Sequence, residues 1–363
     1  MTYLLHIAVS LIPVFLFLLA LVLLDSFKLV KARSIGQAIG VGCAVALACL
    51  FFNRWMLAVV AFDPSVYSRY VAPVAEEGLK AGFIIYLITR KRVGFMVDAA
   101  ILGFAVGAGF AFIENIYYLR SIEASNLLVW IVRGLGTAVM HGGTTAAFAV
   151  LSQGLAERGF GGGRGGPGPP ASAKPPAAAA EPPALRRPST AVAFLPGLAV
   201  AMGLHSLFNH FVLSPVVNTV AQLLVLPAVL ALIFNRSERA LRDWLETGLD
   251  SDVQVLEYIS TGTISDTHTG RYLASLRTRF PGEVVADMLC LLRTHLELAV
   301  RAKGILLMRQ AGFAVPIDPE TRERLDEMKF LERSIGTTGR LAMSPILHAS
   351  GRDRWQLHLV GKK

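Results

Sequence analysis

Seven stretches of this chain are apolar over about 20 residues each, the length a helix needs to cross a bilayer. They lie near Tyr3 to Leu24, Gly36 to Val59, Val66 to Thr89, Phe95 to Leu119, Leu127 to Leu151, Val192 to Leu213 and Val217 to Phe234. The charges are distributed to match. Only 25 of the 61 charged residues fall in residues 1–235, and 36 fall in residues 236–363. Two solvents are implied, lipid for the first part and water for the second. The expected fold class is therefore an all-α polytopic membrane protein, with about seven transmembrane helices and a small helical cytosolic C-terminal domain. The low charge of the first part excludes disorder, which needs a polar chain.

The loops set an orientation. Lys28, Lys31 and Arg33 follow the first span, Arg90, Lys91 and Arg92 the third, Arg158, Arg164, Lys174, Arg186 and Arg187 the fifth, and Arg236, Arg239 and Arg242 the seventh. Basic residues collect on the cytosolic side, which places the N-terminus outside and the C-terminus in the cytosol. The first span has no basic residue before it and no convincing cleavage site, so it reads as an anchor. The net charge of +9 is explained by these flanking residues rather than by a nucleic-acid partner. Cys43, Cys49 and Cys290 form no C-x-x-C pair and read as small apolar fillers.

The spacing predicts four segments. Residues 1–158 hold spans one to five, and 159–190 form a Gly/Pro/Ala-rich linker too poor in apolar side chains to build a core. Residues 191–235 hold spans six and seven. Residues 236–363 form the tail, whose apolar residues recur at helical spacing, most clearly from Glu283 to Leu307. The tail is the expected contact for a cytosolic partner.

Ionisable groups inside a hydrocarbon slab are costly and usually functional. The third span holds Glu76, Glu77 and Lys80, which share one helix face at ~100° per residue. Lys80 can neutralise one carboxylate and leave the other free to take a proton. In the fourth span Phe110, Glu114 and Tyr118 recur at four-residue spacing, with Asn115 after the acid. His141 lies mid-way along the fifth span beside Gly142 and Gly143. In the sixth, His205 and Asn209 stack on one face while His210 points elsewhere. Counted from the outer boundary, Glu114 lies ~8 Å deep, His205 ~12 Å, Glu76 ~15 Å and His141 ~15 to 21 Å. Each group also has a structural reading: a buried ion pair that holds helices together, an aromatic belt, or an interhelical hydrogen bond.

Convergence at one level favours a metal and general-base centre for water-mediated peptide hydrolysis. His141 and His205 would hold a divalent metal, zinc being the expected ion. Glu76 or Glu77 would serve as base, Lys80 would keep the second carboxylate ionised, and Asn209 would stabilise the oxyanion. A non-catalytic scaffold and a proton-coupled transporter are the competing readings. The seven unlike spans lack the paired halves expected of a transporter.

The motifs E-E-x-x-K at Glu76, Glu77 and Lys80, F-x-x-x-E-N-x-x-Y at Phe110, Glu114, Asn115 and Tyr118, a glycine-flanked His141, and H-x-x-x-N at His205 and Asn209 resemble the PrsW family of intramembrane metalloproteases. The resemblance runs from about Gly36 to Phe234. It implies a peptidase of the bacterial cell membrane that acts on membrane-spanning protein substrates. A first cut in an anti-sigma factor on the outer side is one role it implies.

Overall fold

The structure, a computed structural model, describes residues 2–60, 62–121, 127–160, 191–210, 212–313, 315–316, 318–347 and 351–361. Among them there is helix and no strand. Twelve main helices follow in chain order: α1 (Thr2–Leu24), α2 (Ala32–Val59), α3 (Ala72–Thr89), α4 (Met96–Ser121), α5 (Thr137–Phe160), α6 (Leu195–His210), α7 (Pro215–Ser260), α8 (His268–Leu276), α9 (Gly282–Gln310), α10 (Pro319–Ser334), α11 (Gly336–Leu347) and α12 (Gly351–Gly361). They divide into two compact units, one ending at Glu238 and the other made, among the described residues, of Phe160 and the residues from Arg239 on. Helix α7 contributes its first part to one unit and its remainder to the other. Of the expected linker, residues 161–190 lie outside the described residues, and Gly159 and Phe160 continue α5.

Among the described residues four helices are long and apolar enough to cross a membrane: Ala32–Val59, Met96–Arg120, Val192–His210 and Pro215–Ser260. The other expected stretches are helical but differ for stated reasons. The apolar part of the first is the shorter Ala8–Leu24. The third carries Glu76, Glu77 and Lys80, and its helix is entered through a π-helical turn at Tyr67–Val71. A second π-helical turn, Ile131–Gly136, leads into α5. Such turns insert a residue into the helical ladder and rotate the face that follows.

Helix α4 is the axis of the first unit, with 83% of its apolar stretch buried. Its sequence explains this, because AILGFAVGAGFAF offers small residues that let backbones approach closely. A side chain at Gly42 of α2 would strike the Val106 carbonyl of α4, and one at Gly109 of α4 would strike the Ile39 carbonyl of α2. The outward faces stay apolar, with Leu16, Phe51, Leu207 and Leu224 all exposed, as a lipid-facing surface requires. Apolar helices and exposed apolar faces make this a membrane protein.

The second unit is organised on α9. Met288, Leu291, Leu292, Leu298 and Ala302 pack with Leu325 and Leu331 of α10, Met343 of α11 and Val360 of α12. Helix starts are capped as their sequences predict: Thr267 accepts from the Gly270 amide before α8, and Asp318 from the Thr321 amide before α10. The hydrogen bonds from Thr321 hold the Asp318 carboxyl below its ordinary value.

Candidate metal centre

Helices α3, α4, α5 and α6 bring Glu76, Glu77, Lys80, Glu114, His141 and His205 together. Lys80 and Glu77, one turn apart on α3, form an ion pair of 2.5 Å with both side chains fully buried. Lys80 Nζ also lies 3.0 Å from His141 Nδ1 and 4.6 Å from the centre of the Phe110 ring. Glu77 Oε1 further receives His205 Nδ1 at 2.9 Å and Thr144 Oγ1 at 3.2 Å. His141 Nε2 lies 2.6 Å from Glu114 Oε2. Two rings complete the packing, since His141 stands edge-on to His205 with centroids 4.9 Å apart.

The partners assign the tautomers. A lysine ammonium only donates, so Nδ1 of His141 accepts and Nε2–H donates to Glu114. The Glu77 carboxylate, paired with Lys80, only accepts, so His205 carries its proton on Nδ1. His205 Nε2 is then an open lone pair, turned toward Glu76 Oε2 at 3.9 Å. The Glu76, His141 and His205 side chains are all buried, and each offers a ligand atom within 4.8 Å of the others.

Glu76 differs from Glu77 in what surrounds it. It lines a cavity of about 330 Å³, together with Glu114, His141 and His205, whereas Glu77 does not. Its Oε1 accepts from Asn53 Nδ2 of α2 at 3.3 Å, and Asn53 Oδ1 in turn accepts from the Tyr67 hydroxyl at 2.8 Å. Tyr67 opens the π-helical turn that precedes α3. The lining extends to Leu57 and Pro64, near the end of α2.

Two expected residues lie elsewhere in their hydrogen bonding. Asn115 is buried, and its amide nitrogen donates to the Ser10 and Gly134 carbonyls at 2.7 and 3.1 Å, which ties α4 to α1 and to the turn before α5. It supplies no group to the cavity. Asn209 borders the cavity, but its amide donates to the Ser68 carbonyl at 2.8 Å, outside the Glu/His cluster. His210 points away, as its position predicts, to the Tyr70 hydroxyl. Sequence reading did not single out Asn53, Tyr67 or Thr144. Asn53 carried a signal, an amide deep within an apolar span. The role of Tyr67 depends on a turn that leaves no mark in the sequence.

Backbone approach sets the position of His141. A side chain at Gly107 of α4 would collide with the His141 carbonyl, and Thr144 and Thr145 both donate to that same carbonyl. Residues 30–167 match the model of the PrsW family intramembrane metalloproteases. Over those residues the chain is similar to that family. The PrsW match contains Glu76, Glu77, Lys80, Glu114, Asn115 and His141. It stops before α6, so His205 joins the PrsW residues through the geometry of the cluster. No match was found among curated proteins or among solved structures.

Proposed function

We propose that the chain is an intramembrane peptidase that hydrolyses peptide bonds of membrane-spanning protein substrates at the cavity bordered by Glu76. The observation that carries this reading is the convergence of Glu76, Glu114, His141 and His205 on one cavity inside an apolar helix bundle. Hydrogen bonding alone explains the Lys80–Glu77–His205 network as helix glue. It gives no reason for a second carboxylate and two imidazoles to border an open volume, which is why the scaffold reading ranks lower.

A divalent ion such as zinc fits this donor set, since two imidazoles beside a carboxylate match zinc chemistry in charge and type. His141 and His205 would hold it, with Glu76 alongside. Bound there, it would polarise the scissile carbonyl and make water a better nucleophile. The chain's own residues supply the rest. His205 already presents Nε2, because Glu77 fixes its other nitrogen, as outer partners of metal-binding histidines do. For His141 to present Nε2, the ring would change tautomer and stay neutral, Nδ1 taking a proton from Lys80 at 3.0 Å as Nε2 gives its own to Glu114 at 2.6 Å.

Glu76 is the carboxylate placed to act as base. Asn53 orients it and leaves its Oε2 facing the histidines. It takes a proton from water as the water oxygen adds to the carbonyl carbon, and delivers that proton to the amine nitrogen as the C–N bond breaks. Glu77, enclosed by Lys80, His205 and Thr144, holds α3, α5 and α6 in register. We place the protein in the bacterial cell membrane with the N-terminus outside, seven membrane crossings and the second unit in the cytosol, available to a partner.

The test compares membrane and secreted proteins from cells lacking the chain, complemented with wild type or with Glu76→Gln. A single-pass protein that stays intact with Glu76→Gln and is clipped near its outer face with wild type is the expected result. Matching protein profiles from equally inserted variants would return the cluster to a structural role.

A further inference from the structure

The cavity carries one permanent cation that this chemistry does not use. Arg54 follows Asn53 on α2 and lines the same volume as Glu76 and Glu114. Its side chain is exposed, and among the described residues no carboxylate pairs with it. Lys80, by contrast, is fully buried and committed to Glu77 and His141. Arg54 is five residues short of the end of α2, so it stands toward the rim while the carboxylates stand further in.

This charge order sorts what can bind. A carboxylate at Arg54 meets a planar guanidinium whose donors match its two oxygens.

We infer that Arg54 is a carboxylate-binding subsite. It seats an acidic group of the substrate, a side chain or a free chain terminus, at the rim. The inference rests on the peptidase reading and names its substrate class. An arginine that only anchors α2 to lipid phosphates would leave cleavage specificity untouched, which the experiment reads directly.

The full-length protein is purified into lipid-bilayer discs and incubated with a proteome-derived peptide library, and cut sites are read by mass spectrometry. Wild type, Glu76→Gln, Arg54→Ala and Arg54→Glu are compared. Bonds cut by wild type and spared by Glu76→Gln should be enriched at least about tenfold for Asp or Glu at one offset from the bond, the size of one charge-assisted contact. The enrichment should disappear in Arg54→Ala and turn to Lys and Arg in Arg54→Glu. Amidating the library's C-termini separates a terminal carboxylate from an acidic side chain. Cleavage without acid preference, or the same preference in Arg54→Ala, overturns the subsite while the peptidase reading stands. A wild type that cuts nothing beyond Glu76→Gln overturns both.

Discussion

Lys80 Nζ lies 2.5 Å from Glu77 Oε1, and neither side chain is reached by solvent. The pair explains why two adjacent glutamates differ. Glu77 is bound by Lys80, His205 and Thr144, and Glu76 is left facing the cavity. Removing one partner of a buried pair strands the other, at about 3–5 kcal/mol. Lys80→Met should therefore lower the unfolding midpoint of the purified protein strongly, and Glu77→Gln added to it should recover much of the loss without restoring cleavage. A Lys80→Met protein as stable as wild type would remove the pair from the account.

Asn209 and His205 share a face of α6 but have different partners. His205→Ala should abolish cleavage, because it removes the imidazole beside Glu76. Asn209→Ala should cost less than about tenfold in kcat/KM, since its amide bonds the Ser68 carbonyl and that neutral hydrogen bond contributes only about 1 kcal/mol. Loss of more than about a thousandfold in Asn209→Ala, the scale of an oxyanion donor, would return Asn209 to the chemistry.

The seven apolar runs were legible because hydrophobic length is a one-dimensional signal, and helices stand at each of them. The four ionisable motifs were legible because charges in such runs are conspicuous. Asn115 was a candidate because it follows Glu114 in the F-x-x-x-E-N-x-x-Y motif. Adjacent helical residues point about 100° apart, and its amide is spent on Ser10 and Gly134. The two π-helical turns and the Tyr67–Asn53–Glu76 chain depend on packing between elements distant in sequence, which no local pattern encodes.

The Asn53 contact orients a carboxylate without joining the reaction. Asn53→Ala is expected to lower kcat by roughly tenfold, the worth of one hydrogen bond, while leaving metal content at the wild-type level. Tyr67→Phe should have a smaller effect in the same direction. A purified Asn53→Ala protein with wild-type kcat would show that Glu76 is held by other means.

Gly42 and Val106 mark the tightest approach of α2 to α4. Even the added methyl of Gly42→Ala would meet the Val106 carbonyl, and overpacking of this kind costs about 1–3 kcal/mol. Gly40→Ala, on the same helix with nothing near the new atom, should be stable. Equal unfolding midpoints for the two variants would contradict the packing.

In the second unit, Asp252 accepts from Lys303 Nζ at 2.6 Å. Burial pushes its carboxyl above the ordinary value of 3.8, partly offset by the hydrogen bond from Lys303. A carboxyl raised on folding contributes its full stability below the unfolded value and loses it as pH rises through the folded one. Amide-exchange protection of α9, corrected for intrinsic rates, should thus decline as pH rises from 3.8, and Asp252→Asn should flatten that decline. A decline unchanged in Asp252→Asn would assign it to another group.

We propose that Glu76, His141 and His205 form one hydrolytic metal centre. The most direct measurement is metal content and cleavage on the same purified full-length protein, before chelation, after it, and after the ion is restored. About one divalent ion per chain is expected, with cleavage lost with the ion and regained with it, and little metal in His205→Ala. Undiminished cleavage by metal-free protein would contradict it.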